Sequence, residues 1–187
     1  MIALLKIIDN PVQDLPLVAI LRSFFVNLSD EELSQIRISH PYGAYYQAVI
    51  HYVENFSSIK NPTNIERSIY SKLIVFLKQL NHWQHLSQAV SLVELIWTIY
   101  QETNYLDYVA GLTNGSQRQI NLHAFYERAA QFQKTSYKGV FGFVNYIQKV
   151  IKRENDLAEP VLLDGNQNFV RILTVHASKG LAFPLVS

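Results

Sequence analysis

Apolar residues recur at helical spacing through most of this chain. In residues 40–56 they lie three or four positions apart, and the same spacing continues from Ile69 to Leu80. Apolar residues at i, i+3, i+4 and i+7 form one face of an α-helix, which is buried when helices pack together. We therefore predict a mainly α protein with a helical bundle, and we place the strongly apolar segment Leu86–Tyr100 near its centre.

Polar and helix-breaking residues predict the first helix boundaries. Residues 2–8 form an apolar helix that ends at Asp9–Pro11. Asp14 is the predicted N-cap of a second helix that runs through Leu21, because aspartate side chains accept hydrogen bonds from free backbone N–H groups at helix starts. We interpret Asp9 and Asp14 as helix-terminal residues rather than acid–base groups, since no neighbouring residue type would perturb their ionisation.

Three further signals divide the middle of the chain. Ser29 and Glu32 have the spacing of a capping box, which predicts a short helix through Ile36. Asn61–Asn64 contains a proline and breaks the chain before the next long helix. Asn114–Ser116 contains an Asn-Gly pair, which is typical of a turn.

The C-terminal segment has a different pattern. It includes a short apolar run that is too short for a stable helix and predicts a buried strand, formed by Val170, Ile172, Leu173 and Val175. A polar stretch of Thr, His, Ser, Lys and Gly follows. Loops that leave the ends of buried strands are where α/β proteins bind ligands, so we expect a ligand-contacting loop here.

Composition excludes several protein classes. With 49% hydrophobic residues, the 187-residue chain can bury a core and is not compositionally disordered. It contains no cysteine, which excludes disulfides and cysteine-based zinc sites. His82 and His85 are three residues apart, but no third ligand completes a metal site. No signal peptide or membrane-spanning apolar run is present in the sequence.

Basic residues are concentrated in one part of the chain. Between Arg118 and Arg153 a single acid, Glu127, accompanies seven bases, whereas the remaining residues carry nine bases and fourteen acids. The basic residues of this segment are Arg118, Arg128, Lys134, Lys138, Lys149, Lys152 and Arg153. Such asymmetry indicates a surface that faces a polyanion.

Aromatic residues lie between these bases, and two interpretations follow. They are Phe125, Tyr126, Phe132, Tyr137, Phe141, Phe143 and Tyr146. Aromatic rings beside cations can bind single-stranded nucleic acid, but we expect most of these rings to form the buried faces of two helices. The polar residues Arg118, Asn121 and Arg128 either contact DNA or a neighbouring domain, or anchor their helix to its own bundle.

The segment Thr174–Leu181 resembles motif V of the UvrD/PcrA/RecB-like superfamily 1 DNA helicases. The family pattern is Thr-x-His-x-x-Lys-Gly-Leu-Glu-Phe, and this chain departs from it at Ala182, where the family has glutamate. The resemblance implies that Thr174 and His176 face DNA. It also implies that Lys179 and Gly180 lie on the phosphate side of the ATP cleft, while Ala182 removes the contact that the family glutamate makes with the ribose.

Three other segments resemble the A subunit of bacterial ATP-dependent helicase–exonucleases of the AddA or RexA type: Ile8–Ser23, Glu32–Arg37 and Val109–Ala129. The resemblance implies a helical, 2B-like insertion domain at 26–168. It also implies that residues 1–25 and 169–187 are pieces of the RecA-like α/β motor domain 2A, the second of which contributes a short β/loop remnant.

The same resemblance implies a function for the parent protein. The parent would use ATP and Mg²⁺ to unwind DNA ends and degrade strands in double-strand-break repair and recombination. Its partners would be single- and double-stranded DNA and a B subunit, in the bacterial cytoplasm and without a membrane. The chain contains no phosphate-binding P-loop, Walker B acidic pair or nuclease metal cluster. We therefore expect this part alone to contain no catalytic residue, to bind no cofactor, and neither to hydrolyse ATP nor to cut DNA.

Two alternatives compete with this hypothesis. The first is a stand-alone helical interaction module that binds neither DNA nor nucleotide. The second is a small enzyme with a site at His176 and Ser178, although the sequence suggests neither the acid nor the oxyanion hole that such a pair requires.

Overall fold

The computed structural model describes residues 1–135 and 139–152, and within these ranges the protein is helical and contains no strand. The helices are α1 (Ile2–Asp9), α2 (Asp14–Arg22), α3 (Asp30–Ser39), α4 (Tyr45–Asn55), α5 (Asn64–Ala89), α6 (Leu92–Thr103), α7 (Tyr105–Ala110), α8 (Gly115–Gln133) and α9 (Gly139–Lys152), with a 3₁₀ turn at Phe56–Ser58. The mainly α prediction is confirmed. The predicted strand at 170–175 lies outside the described residues. None of the described helices combines the length and apolar character needed to cross a bilayer.

One hydrophobic core joins the first described helix to the last. Leu4 of α1, Trp83 of α5 and Phe143 of α9 have no exposed surface and belong to the same cluster. Helix α1 packs against α2, α5 and α9, so it lies inside the bundle. Burial of such large apolar side chains supplies the main favourable free energy of folding.

The capping box predicted at the start of α3 is confirmed. Glu32 N donates to Ser29 Oγ over 3.1 Å, and Ser29 N donates to Glu32 Oε2 over 2.8 Å. The helix continues to Ser39, three residues beyond the predicted end. Thr63 and Glu66 form a second capping box at the start of α5, which the sequence analysis did not identify.

The prediction that Asp14 is the N-cap of α2 is wrong. Gln13 occupies that position, and Asp14 is the first residue of the helix. The Asp14 carboxylate instead accepts a hydrogen bond from the backbone N–H of Tyr45, with Oδ1 at 2.8 Å. Asp14 therefore caps α4. Its partner Tyr45 is 31 residues away in the sequence, so no local pattern predicts this hydrogen bond.

The apolar segment Leu86–Tyr100 is continuous in the sequence, but the structure divides it between the end of α5 and the start of α6. Helix α5 ends at Ala89, and the side chain of Ser91 accepts a hydrogen bond from Glu94 N at the start of α6. The prediction of a central position is confirmed for α6, where Leu95, Ile96 and Ile99 are buried.

Candidate nucleic-acid interface

The turn between α7 and α8 sets the position of Arg118, the first basic residue of the segment 118–153. Asn114 adopts a left-handed conformation with φ 57°, and Gly115 begins α8 in close contact with the backbone of Ala110. A Cβ atom at position 115 would lie 2.0 Å from the carbonyl oxygen of Ala110, so this approach requires glycine. The turn packs α7 against α8, with Arg118 in the first turn of α8.

Arg118 is exposed, and its guanidinium is oriented by its own turn. The Nε–H donates to the carbonyl oxygen of Thr113 over 3.1 Å. Burial, with a smaller contribution from Tyr108, raises the pKa of Tyr105, and the positive charge of Arg118 opposes that rise. Arg118 is therefore close enough to the hydroxyl of Tyr105 on α7 for its charge to act there.

Those aromatic residues form a stack that reaches the surface. The rings of Phe24 and Tyr108 lie 3.9 Å apart with an interplanar angle of 19°, and both remain partly exposed, at 37% and 40%. The ring of Tyr105 lies 6.1 Å from that of Phe24. We call the residues Phe24, Tyr105, Tyr108 and Arg118 the aromatic–arginine cluster. Exposed aromatic rings can stack against a nucleobase, and a cation beside them can neutralise a phosphate.

The aromatic part of this cluster was not predicted from the sequence. Tyr105 and Tyr108 are three residues apart on one helix, a spacing that places both rings on the same side. That spacing was the feature of the sequence from which a shared aromatic surface of Tyr105 and Tyr108 could have been predicted. Phe24 lies between α2 and α3, far along the chain from Arg118, and carried no local signal.

The structure does not bring the two predicted arginines onto one face. Arg118 and Arg128 are ten residues apart on α8, a separation that turns them about 80° from each other around the helix axis. Arg128 is half-buried, whereas Lys134 and Lys149 are exposed. Asn121 accepts a hydrogen bond from Gln117 Nε2 over 3.1 Å, so this residue bonds within its own helix.

Most described aromatic residues of α8 and α9 belong to the core, as expected. Phe132 and Phe143 are buried, with ring centroids 5.5 Å apart, and Phe125 and Tyr126 pack against the core. Two rings of α9 depart from this expectation, since Phe141 is 64% exposed and Tyr146 is 41% exposed. Tyr137 lies outside the described residues.

The other predicted site residues fall beyond the part of the chain that the structure describes. Thr174, His176, Lys179 and Gly180 all lie in 153–187. The structure therefore places neither the predicted DNA-facing side nor the nucleotide-facing side of the motif V segment.

The paired histidines of α5 have separate partners. His82 Nε2 lies 3.1 Å from Glu102 Oε1, and His85 Nδ1 lies 2.7 Å from the carbonyl oxygen of Asn81. Among residues 1–135 and 139–152, no group of three or more His, Asp or Glu side chains could hold a metal ion.

Comparison with known proteins gives consistent matches along the whole chain. Residues 1–187 match the UvrD-like helicase C-terminal domain family. Relatives named as the A subunit of an ATP-dependent helicase/nuclease are 46% identical in Ligilactobacillus salivarius, 47% in Enterococcus faecalis and 46% in a Listeria monocytogenes strain. Each of these matches covers 100% of this chain and 14–15% of the relative, so the chain spans about one seventh of their length.

Proposed function

Because this chain belongs to the UvrD-like helicase C-terminal domain family, we propose that it is the helical, 2B-like part of the A subunit of an ATP-dependent helicase/nuclease, together with the motif V loop. The observation that carries the proposal is 44–47% identity to such proteins over the whole chain. The complete protein would unwind DNA ends in double-strand-break repair and recombination, in the bacterial cytoplasm.

The proposed domain division follows the family order. Residues 1–25 and 169–187 belong to motor domain 2A, and 26–168 form the 2B-like domain. Helix α1 shares the hydrophobic core with α5 and α9, so the proposed 2A piece at the start of the chain is anchored firmly to the helical domain.

The aromatic–arginine cluster is the proposed DNA contact; Tyr105, Tyr108 and Arg118 belong to the helical domain, and Phe24 belongs to the proposed 2A piece. Arg118 would neutralise a phosphate of a single strand, and a base would stack on the Phe24–Tyr108 pair. The exposure of Arg118 and the partial exposure of both rings support this assignment. Arg128 would contribute less, since it is half-buried and directed to another side of α8.

The motif V loop would couple this contact to the nucleotide. Thr174 and His176 would face the DNA strand, and Lys179 and Gly180 would lie on the nucleotide side. ATP and Mg²⁺ would supply the phosphoryl-transfer chemistry in the complete protein. The proposed role of this part is therefore mechanical, and the partners of the whole protein would be DNA and the B subunit.

A segment exchange tests the proposal. Residues 1–187 would replace the matching segment of the Enterococcus faecalis relative, which is 47% identical, and DNA unwinding and ATP hydrolysis would be measured with the B subunit present. We expect the chimera to retain both activities, and the same chimera with Lys179→Ala to lose DNA-stimulated ATP hydrolysis. A folded chimera that hydrolyses ATP but cannot unwind DNA, even at high protein concentration, would contradict the proposal.

A further inference from the structure

A cleft of about 450 Å³ lies on the bundle where the C-terminal ends of α3 and α4 meet the start of α5. Its lining combines apolar and polar side chains, including Gln35, Ile38, His51, Tyr52, Asn55 and Glu66. We call it the α3–α4–α5 cleft. None of its lining residues belongs to the aromatic–arginine cluster, so it is separate from the proposed DNA contact.

Two residues that line this cleft each carry a buried polar atom without a partner. Tyr52 Oη and His51 Nδ1 are buried, and neither makes a hydrogen bond. Among the described residues, these are the buried side-chain polar atoms left without one. A buried polar group without a hydrogen bond is costly, so two of them on residues that line one cleft favour a hydrogen-bonding partner that enters the cleft.

The electrostatics of the cleft favour a cation. Residues from the last turns of α3 and α4 line it, and the C-terminal ends of helices carry partial negative charge. The start of α5 also lines the cleft, but its partial positive charge is offset by Glu66, whose Oε2 accepts a hydrogen bond from Thr63 N there. Glu66 adds a carboxylate; both hydrogen bonds from Thr63 go to its Oε2, which leaves Oε1 for another donor. Burial raises the pKa of Tyr52 to about 12, with further contributions from the negative charges of Glu66 and Glu32, so the hydroxyl stays neutral.

The nearest bases in the sequence do not occupy this site. Arg37 donates to the carbonyl oxygens of His40 and Gly43 and lies 3.8 Å from an oxygen of Asp14. Arg37, Lys60 and Arg67 all lie next to lining residues in the sequence, and none of the three lines the cleft. Among the described residues that line the cleft there is no lysine or arginine to face its acceptor groups or to pair with an anion such as phosphate.

We propose that the α3–α4–α5 cleft binds an arginine side chain presented by a segment of a partner protein. The guanidinium would donate to Glu66 Oε1, and small rotations of the neighbouring side chains would bring Tyr52 Oη and His51 Nδ1 within its reach. A guanidinium offers five N–H donors, which suits several acceptors in one place. Ile38 is 74% exposed at the cleft, so it offers an apolar surface to the residues that flank the arginine.

Ligand titrations followed by NMR test this site. The probes are N-acetyl-arginine N-methylamide, its uncharged citrulline isostere, the peptide acetyl-Leu-Arg-Leu-amide and the polyamine spermidine. We expect the arginine derivative to shift the resonances of His51 and Tyr52 to saturation, with about tenfold weaker binding of the citrulline derivative. The peptide should bind more tightly than the single amino acid, because its leucines can pack on Ile38.

Matched variants separate the site from nonspecific charge attraction. Glu66→Gln keeps the capping box but removes the charge, and it should weaken arginine binding about tenfold. Tyr52→Phe should also weaken it, whereas Tyr46→Phe, on the same helix but outside the cleft, should not. Equal binding of arginine and citrulline, or no effect of Glu66→Gln, would overturn the cation site. Tighter binding of spermidine than of the peptide would overturn the protein segment as its occupant.

Discussion

Lys72 Nζ lies 2.9 Å from both carboxylate oxygens of Glu32, the charged residue buried in the described core. The same carboxylate accepts hydrogen bonds from Ser29 N and from Ser68 Oγ, and Lys72 also donates to the carbonyl oxygen of Asn27. Glu32 therefore serves two purposes at once. It caps α3, and it ties the start of that helix to the middle of α5.

Replacement of Glu32 by glutamine tests the second purpose. Glutamine preserves the capping box, so Glu32→Gln removes the ion pair and leaves Lys72 partly buried without a counter-charge. We expect the free energy of unfolding in urea to fall by about 1–3 kcal/mol. Glu66→Gln is the matched control in an exposed capping box, and it should have little effect. Equal losses in the two variants would show that the pair with Lys72 does not contribute.

The same pair predicts a dependence of stability on pH. Burial raises the pKa of Glu32, but the hydrogen bonds from Lys72 and Ser29 and the charge of Lys72 outweigh it and hold the pKa below its usual value of 4.5. A lowered pKa in the folded state stabilises the fold above the unfolded value, and that contribution disappears as pH falls through the folded value. Urea unfolding between pH 3 and 7 should therefore show a smaller acid loss in Glu32→Gln. Parallel curves for the two proteins would contradict this assignment.

Gly115 provides a test of the α7–α8 turn. In Gly115→Ala the added Cβ would lie 2.0 Å from the carbonyl oxygen of Ala110, so backbone must shift. We expect a loss of about 1–3 kcal/mol in the free energy of unfolding. Gly111→Ala is the control, because its Cβ would meet Tyr108 O at an ordinary 3.6 Å. If both variants unfold at the same urea concentration as the unsubstituted chain, glycine at position 115 is not required for the close approach to Ala110.

Glu102 links α6 to the core tryptophan of α5. Its Oε2 accepts a hydrogen bond from Trp83 Nε1 over 2.8 Å, and the Trp83 side chain is fully buried. Glu102→Leu would leave the indole N–H without an acceptor, at a cost of about 1–3 kcal/mol measured by urea unfolding. Glu102→Gln keeps an acceptor oxygen and should recover most of the loss. A stable leucine variant would mean that the indole finds another partner.

Sequence patterns predicted the features that arise from neighbouring residues. The capping box at Ser29 depends on residues three positions apart, and the burial of Phe132 and Phe143 follows from helical periodicity. The Asn114–Gly115 turn was also visible, because left-handed backbone and close approach favour these two residue types.

Contacts between distant parts of the chain were not predictable in this way. Asp14 caps α4 rather than α2, and Glu32 pairs with a lysine 40 residues away. The charge asymmetry drew attention to Arg118, but the aromatic residues of its cluster come from α7 and from the connection between α2 and α3. Such arrangements depend on how the helices pack, which periodicity alone does not specify.

We propose above that the aromatic–arginine cluster contacts single-stranded DNA. The most direct measurement is the affinity of this chain for a short fluorescent single strand across a series of salt concentrations. The variants are Arg118→Ala, Arg128→Ala and Tyr108→Ala, with Arg67→Ala as the control, since Arg67 is an exposed arginine on α5 outside the cluster.

We expect Arg118→Ala to weaken binding and to lower the slope of log affinity against log salt by about 0.7, because one phosphate contact is lost. Tyr108→Ala should reduce affinity by about 1–3 kcal/mol with the slope unchanged, since stacking carries no charge. Arg128→Ala should have a smaller effect than Arg118→Ala, and Arg67→Ala should have none. If Arg118→Ala and Arg67→Ala both bind DNA as tightly as the unsubstituted chain at every salt concentration, the aromatic–arginine cluster is not a DNA contact.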